Sequence, residues 1–156
     1  MTGRQAWCRV FTAALILGAP AFAAAQLPSG FHTPGATVKA DAAKVCGAEF
    51  AASAKPVSSW QRNEALTRYG RRPEDFAGEL DHLVPVSLGG SNDPDNLWAM
   101  PANGEYGPDA KHTLETTLRE MVCAEKKLTL KQAQDAMKKD WVKAYNQYVQ
   151  GQNAAK

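Results

Sequence analysis

The sequence predicts an α+β fold, in which two short strands and a helix are wrapped by additional packed helices, so that the domain is mostly helical overall. Two short apolar runs, residues 83–88 and Leu97–Met100, are rich in residue types that favour buried strands. The intervening residues 89–94 carry glycines, short polar side chains and a proline, which is turn chemistry. Pro108 suits the first turn of a helix, and apolar residues recur after it at helical spacing. The predicted order is therefore strand, turn, strand, helix.

Residues 1–25 have the pattern of a secretory signal peptide, with two early arginines, a short apolar core and small-residue cleavage sites. The apolar core is too short to span a membrane. Cleavage after Ala25 is expected, and cleavage after Ala23 is the alternative. The pattern predicts export to the periplasm or the medium, with no membrane association of the mature form.

The rest of the chain has room for one small domain, since the whole sequence has 156 residues. Prolines and glycines recur over residues 26–37, which predicts a flexible N-terminal lead-in. The domain is then expected over 38–156, with its core motif at 79–124 and its C-terminal helix at 129–149.

The charge balance gives no general attraction to nucleic acid. The chain has 18 basic and 16 acidic residues, and the predicted signal peptide contains only Arg4 and Arg9 as charged residues, so 16 of each sign remain after cleavage. A neutral total supplies no overall electrostatic pull toward phosphates. Any affinity for phosphate must come from a local basic patch.

Two cysteines, Cys46 and Cys123, remain after the predicted cleavage, because Cys8 lies in the signal peptide. An even number of cysteines in an exported chain favours a disulfide. The alternatives are metal binding or catalysis by these cysteines, and the C-x-x-C spacing typical of zinc sites is absent from the sequence.

Three helices are predicted outside the central unit, over residues 38–45, 60–69 and 129–149. Ser58 or Ser59 can cap the second, and Thr129 begins a capping box for the third. We expect Trp60, on the second helix, and Trp98, on the second strand, to lie in the core.

Four arginines in or just after the predicted helix 60–69 form the best candidate for a phosphate-contacting patch: Arg62, Arg68, Arg71 and Arg72. The alternative is a solvated helix face whose arginines pair with nearby acidic residues, namely Glu64, Glu74 and Asp75. The sequence leaves both interpretations open.

Several polar, glycine and proline residues lie in a defined order within the strand–turn–strand–helix unit. They are Asp81-His82, Pro85, Gly89-Gly90-Ser91-Asn92, Asn96-Leu97 and, in the helix, His112. At these residues the sequence resembles the HNH nuclease family, and within it a group of small exported bacterial proteins. The resemblance extends over residues 33–145. It implies a ββα-metal (His-Me finger) core.

The resemblance also implies a role for each matching residue. His82 matches the general base, Asp81 the first metal-ligating carboxylate, and Asn96 the asparagine that orders the loop and helps to hold the base. His112, which points away from the apolar stripe of its helix, is the chosen helix-borne metal ligand. Its spacing from Asn96 is longer than in many family members, so Asn103 is a rival ligand.

Neighbouring strand residues point to opposite faces, so Asp81 and His82 can share one site only at an irregular strand end. We expect such an end here. A neutral imidazole is suited to deprotonating water, and a divalent cation can stabilise the charge that develops on a phosphodiester.

The function expected from these residues is metal-dependent endonuclease activity on nucleic acid, with DNA favoured by the family resemblance alone. The expected cofactor is one divalent ion, Mg²⁺ or Mn²⁺ first and Zn²⁺ or Ni²⁺ as alternatives. We expect a monomer. The alternative function is a non-catalytic exported binding module that retains the same fold and metal centre.

Overall fold

The computed structural model describes residues 27–151. The predicted signal peptide, including Cys8, lies outside the described residues, as do the last five residues. Within the described part, no helix is both long enough and apolar enough to cross a membrane.

Residues 27–151 form an α+β fold, as predicted, and combine a two-stranded antiparallel sheet with four α-helices. In chain order the elements are α1 (Ala42–Val45), α2 (Ser59–Arg68), β1 (Glu79–His82), β2 (Leu97–Met100), α3 (Pro108–Cys123) and α4 (Leu130–Tyr145). Short 3₁₀ turns lie at Val86–Leu88 and Pro94–Asn96, and the π-helical turn Asn146–Gln150 follows α4.

The first strand carries the Asp81-His82 pair, as predicted, but it ends there and does not continue through the apolar run. Strand β1 covers Glu79–His82 and pairs with β2, with Glu79 opposite Met100 and His82 opposite Leu97. Residues 83–88, predicted as strand, instead leave the sheet and turn through Val86–Leu88. Leu83, Val84 and Leu88 are nevertheless buried, so their apolar character reflects core packing and not strand structure.

Local capping residues account for the helix ends. Ser58 caps α2 and, with Gln61, forms a capping box, and Thr129 with Gln132 does the same for α4, which confirms both predicted caps. Pro108 is the first residue of α3, as predicted. The first helix is shorter than predicted, because it begins only after Asp41, whose side chain accepts from the Lys44 amide.

The core lies between the sheet, α3 and α4. Trp98, Leu114, Leu118, Met137 and Trp141 are almost fully buried there, and the expectation for Trp98 is confirmed. The prediction that Trp60 lies in the core is wrong. Trp60 is 67% exposed near the start of α2, because Ala65 and Leu66 form the buried face of that helix.

The lead-in is attached to the domain at several points, although it was expected to be flexible. Thr33 is buried and its hydroxyl donates to the Leu97 carbonyl, 2.9 Å away. Farther on, the Gly35 amide donates to the Asp95 carbonyl, and Thr37 forms a bridge with Gly90. Residues 33–37 therefore brace the turn that joins β1 and β2.

Cys46 and Cys123 form a disulfide, as predicted, which joins the end of α1 to the end of α3. The two cysteines are 77 positions apart, and the closed loop contains α2, both strands and most of α3. The bridge therefore restrains nearly all of the candidate site described below.

Replacing both cysteines by serine should lower the free energy of unfolding by about 4 kcal/mol, because a long loop is no longer closed in the unfolded chain. The dependence of that free energy on urea should also steepen, because the open unfolded chain exposes more surface. Equilibrium urea unfolding of residues 26–156, as wild type and as the double variant, measures both. Equal midpoints would contradict a stabilising role for the disulfide.

Candidate metal centre

Three side chains that can ligate a metal converge where α3 passes β1. Glu79 and Asp81 are two positions apart on the strand, so they lie on the same face of the sheet. His112 reaches them from the first half of α3. One potential ligand atom from each of the three residues lies within 4.8 Å of the others. The structure thus brings together the predicted Asp81 and His112, and adds Glu79.

The cluster is open on one side. His112 and Glu79 have side chains that are 54% and 42% exposed, and His112 Nε2 lies 3.6 Å from Glu79 Oε1. Asp81 is buried, yet only its Oδ2 is hydrogen-bonded within the described residues. Asp81 Oδ1 has no hydrogen-bond partner within the described residues, and it is not completely buried, so it reaches solvent. A cation can therefore approach one oxygen of Asp81 from the exposed side.

The other oxygen of Asp81 is held from the protein interior. Its Oδ2 accepts from Trp98 Nε1 at 2.7 Å and faces Lys111 Nζ at 2.8 Å. Trp98 lies directly opposite Asp81 in the strand pairing, so this hydrogen bond follows from the register of the sheet. The Asp81 carboxylate is therefore fixed in orientation before any ligand arrives.

Lys111 is the unexpected residue of the site, because its side chain is completely buried. The Lys111 ammonium has three N–H donors, and three oxygen acceptors surround it: Asp81 Oδ2, Glu115 Oε1 at 2.5 Å and the His82 carbonyl at 2.7 Å. A buried charge is tolerated only when it is paired and hydrogen-bonded in this way. Lys111 consequently ties α3 to both residues of the Asp81-His82 pair.

The local charge is negative. Glu79, Asp81 and Glu115 supply three carboxylates against the single ammonium of Lys111, which leaves two negative charges when all are ionised and His112 is neutral. Burial raises the pKa of Glu115, and Asp81 adds to that effect, whereas Lys111 opposes it. This balance favours a divalent cation, and carboxylate with imidazole is a donor set suited to such ions.

His82 does not belong to this cluster. It pairs with Leu97 in the regular register, so the irregular strand end expected for Asp81-His82 is wrong. By strand alternation its side chain leaves the opposite face from Asp81. Its Nε2 lies 2.8 Å from the side-chain oxygen of Asn92, in the turn between the strands.

Asn96 is completely buried and holds the turn in place. Its Oδ1 accepts from the Val84 amide, and its Nδ2 donates to the carbonyls of Val84 and Ser91, all at 2.9 Å. Gly90 is required beside it, since a Cβ there would lie 1.7 Å from the Val84 carbonyl oxygen. Asn96 thus orders the loop, as the resemblance implies, and its side-chain hydrogen bonds do not include the His82 ring.

The rival ligand Asn103 is exposed in the loop between β2 and α3. It lines an open groove of about 1020 Å³ together with residues of the loop before β1. Arg71 and Arg72 lie on the same groove.

The arginine patch is partly neutralised. Arg68 donates to Glu64 at 3.0 Å and to Asp95 at 2.7 Å. These hydrogen bonds raise the pKa of Arg68, and the bond to Asp95 contributes most. Arg72 pairs with Asp75. The solvated, paired interpretation therefore holds for these two arginines, and Glu64 and Asp75 are the partners that the sequence suggested.

Three site residues were not foreseen from the sequence. Glu79 could have been found, because the residue two positions before Asp81 on a strand lies on the same face as Asp81. Lys111 carried no signal beyond its place next to His112, since lysines are rarely fully buried. Asn92 belongs to the glycine-rich turn in the sequence, and its contact with His82 depends on the path of that turn.

No protein-family model matches the chain, and neither does any curated protein or solved structure.

Replacing Lys111 by methionine should destabilise the domain by about 3–5 kcal/mol, because Asp81 and Glu115 would remain buried without their cation. Equilibrium urea unfolding at neutral pH measures this loss. Lys143→Met, at an exposed position on α4, is the matched control and should leave the midpoint nearly unchanged.

The destabilisation caused by Lys111→Met should be smaller in mild acid than at neutral pH. Glu115 already has a raised pKa in the folded protein, and without Lys111 that pKa should rise further. Stability from such a group is fully present below its unfolded pKa and is lost as pH rises through the folded pKa. A Lys111→Met protein as stable as wild type at neutral pH would contradict the buried-cation account.

Proposed function

We propose that this protein is an exported, metal-dependent endonuclease of the HNH type, which hydrolyses phosphodiester bonds of nucleic acid. One observation carries the proposal: Glu79, Asp81 and His112 converge on one solvent-open point, and the next residue along the strand is the imidazole of His82. Hydrolysis of a phosphodiester requires a cation and a base. Because His82 leaves the opposite face of the strand, the substrate phosphate in this proposal reaches across the end of β1 to contact both.

In this proposal Asp81 Oδ1, Glu79 and His112 hold one divalent ion, Mg²⁺ or Mn²⁺ first. When bound, the ion would supply charge stabilisation at a non-bridging oxygen and at the leaving oxygen of the substrate. Lys111 and Trp98 keep the Asp81 carboxylate turned so that one oxygen stays free. His82 takes a proton from the attacking water.

Two further features support the HNH assignment. The order of two antiparallel strands, a buried Asn96 in the connecting turn, and a helix that carries His112 matches the motif order of the family. The predicted signal peptide and the disulfide Cys46–Cys123 both favour export. DNA as the substrate, and a monomeric state, rest on the family resemblance and on expectation alone.

A second candidate is a non-catalytic exported module that binds a partner through the same metal centre. It is favoured by the buried Lys111, which already neutralises the Asp81 oxygen that faces the interior, and by the balanced charge after the predicted cleavage. In this alternative the centre stabilises the fold, and His82 has no chemical role.

Plasmid cleavage by mature protein with its disulfide intact tests the proposal. The protein is first treated with a chelator, and Mg²⁺, Mn²⁺, Zn²⁺ or Ni²⁺ is then supplied separately. We expect nicking only with added metal. His82→Ala should reduce nicking by at least about 100-fold, because a positioned general base contributes on the order of 10²–10⁴-fold.

The matched control is His32→Ala, in the lead-in outside the cluster, which should cleave like wild type. Metal binding and the unfolding midpoint are measured for each variant, since His82→Ala should leave both largely intact. Absence of cleavage with every metal, by a protein shown to be folded, would overturn the nuclease proposal and favour the binding module.

A further inference from the structure

We propose that Asn92 is a positioning residue that fixes the tautomer of His82, so that Nδ1 is the nitrogen that accepts the proton. The inference rests on the proposed function, and it assigns a task to a side chain in the turn between β1 and β2. Asn96, the asparagine of the family motif, makes its side-chain hydrogen bonds only to backbone groups of the turn.

The orientation of the Asn92 amide follows from its two contacts. Its Nδ2 donates to the Lys55 carbonyl oxygen at 2.6 Å, and a carbonyl can only accept. The amide nitrogen must therefore face Lys55, which leaves Oδ1 facing the His82 ring. A flipped amide would set two oxygens against each other at Lys55 and a donor against Nε2.

The tautomer of His82 follows in turn. Asn92 Oδ1 is an acceptor, so His82 Nε2, 2.8 Å away, must carry the hydrogen. A neutral imidazole has one N–H and one basic nitrogen, which is then Nδ1. Within residues 27–151, Nδ1 has no hydrogen-bond partner, and Trp141 Nε1 is the only buried side-chain polar atom without one. Nδ1 therefore reaches solvent.

The backbone of His82 is fixed as well. Its strand position is set by pairing with Leu97, and its carbonyl accepts from the buried Lys111 ammonium. His82 is therefore held at its backbone by Lys111 and Leu97 and at ring atom Nε2 by Asn92. Only Nδ1 remains free to change its proton.

The proton transfer balances with these groups alone. A water molecule gives one proton to Nδ1 as its oxygen attacks phosphorus, and His82 becomes an imidazolium whose Nε2–H still donates to Asn92. The bond from phosphorus to the leaving oxygen breaks, and that oxygen takes a proton from solvent. Asn92 takes part in no bond change, so it acts only by orienting the ring and stabilising the imidazolium.

Nitrogen NMR of mature protein with ¹⁵N-labelled histidine tests the inference without any cleavage. The chain has three histidines, and His82→Gln assigns the signal of interest. In wild type with neutral His82, we expect a protonated Nε2, an unprotonated Nδ1 and a detectable Nε2–H proton. In Asn92→Ala that proton signal should disappear through exchange with water.

Cleavage kinetics provide the second measurement. Asn92→Ala should lower kcat on the order of 10- to 100-fold with little change in KM, because the base is misplaced while substrate contacts persist. Asn92→Asp retains an acceptor for Nε2–H but loses the donor to the Lys55 carbonyl, so it should recover only part of that loss. Ser91→Ala is the matched control, because its hydroxyl bonds only to the Ala36 carbonyl and the Asp93 amide, and it should behave like wild type.

The two measurements separate the possible failures. An Nδ1–H tautomer in wild type, or full activity in Asn92→Ala, would overturn the inference. Absence of cleavage by wild type would overturn the proposed function, while the NMR signal would still decide whether Asn92 orients the ring. If Asn92→Ala does not fold, the wild-type tautomer and the activity of Asn92→Asp decide the question.

Discussion

The buried ammonium of Lys111 is the interaction on which the candidate site depends. It contacts Asp81 and the carbonyl of His82 on β1 and Glu115 on its own helix, so α3 cannot slide along the sheet without breaking a charged hydrogen bond. Removal of one partner from a buried ion pair is far more costly than the pair is stabilising. The same contact therefore sets the position of His112, one residue further along α3.

The two faces of β1 divide the site into separate tasks. Glu79 and Asp81 share one face with His112 and form the candidate metal cluster. His82 leaves the other face and contacts Asn92 in the turn. Under the proposed function, a phosphodiester that contacts both groups must reach across the end of the strand, where β1 is followed by the turn. The buried Asn96, Gly90 and the braced lead-in keep that turn in one conformation.

Sequence reasoning recovered the parts of the fold that depend on local chemistry. The caps at Ser58 and Thr129 and the start of α3 at Pro108 follow from short-range rules. The disulfide follows from the even number of cysteines that remain after the predicted cleavage. Sequence reasoning failed where tertiary contacts decide: residues 83–88 are apolar because they pack in the core.

The site was predictable to a similar extent. The order of the motif predicted that Asp81 and His112 lie in one site. Lys111 and Asn92 were not predicted, because they act through contacts between segments that are distant in sequence. Trp60 looked like a core residue by type, yet a helix buries only one face.

The most direct test of the candidate metal centre is a crystal structure of residues 26–156 soaked in Mn²⁺, with anomalous data. The account predicts one anomalous peak within about 2.0–2.6 Å of Glu79, Asp81 and His112. A peak elsewhere, or no peak at saturating Mn²⁺, would contradict it.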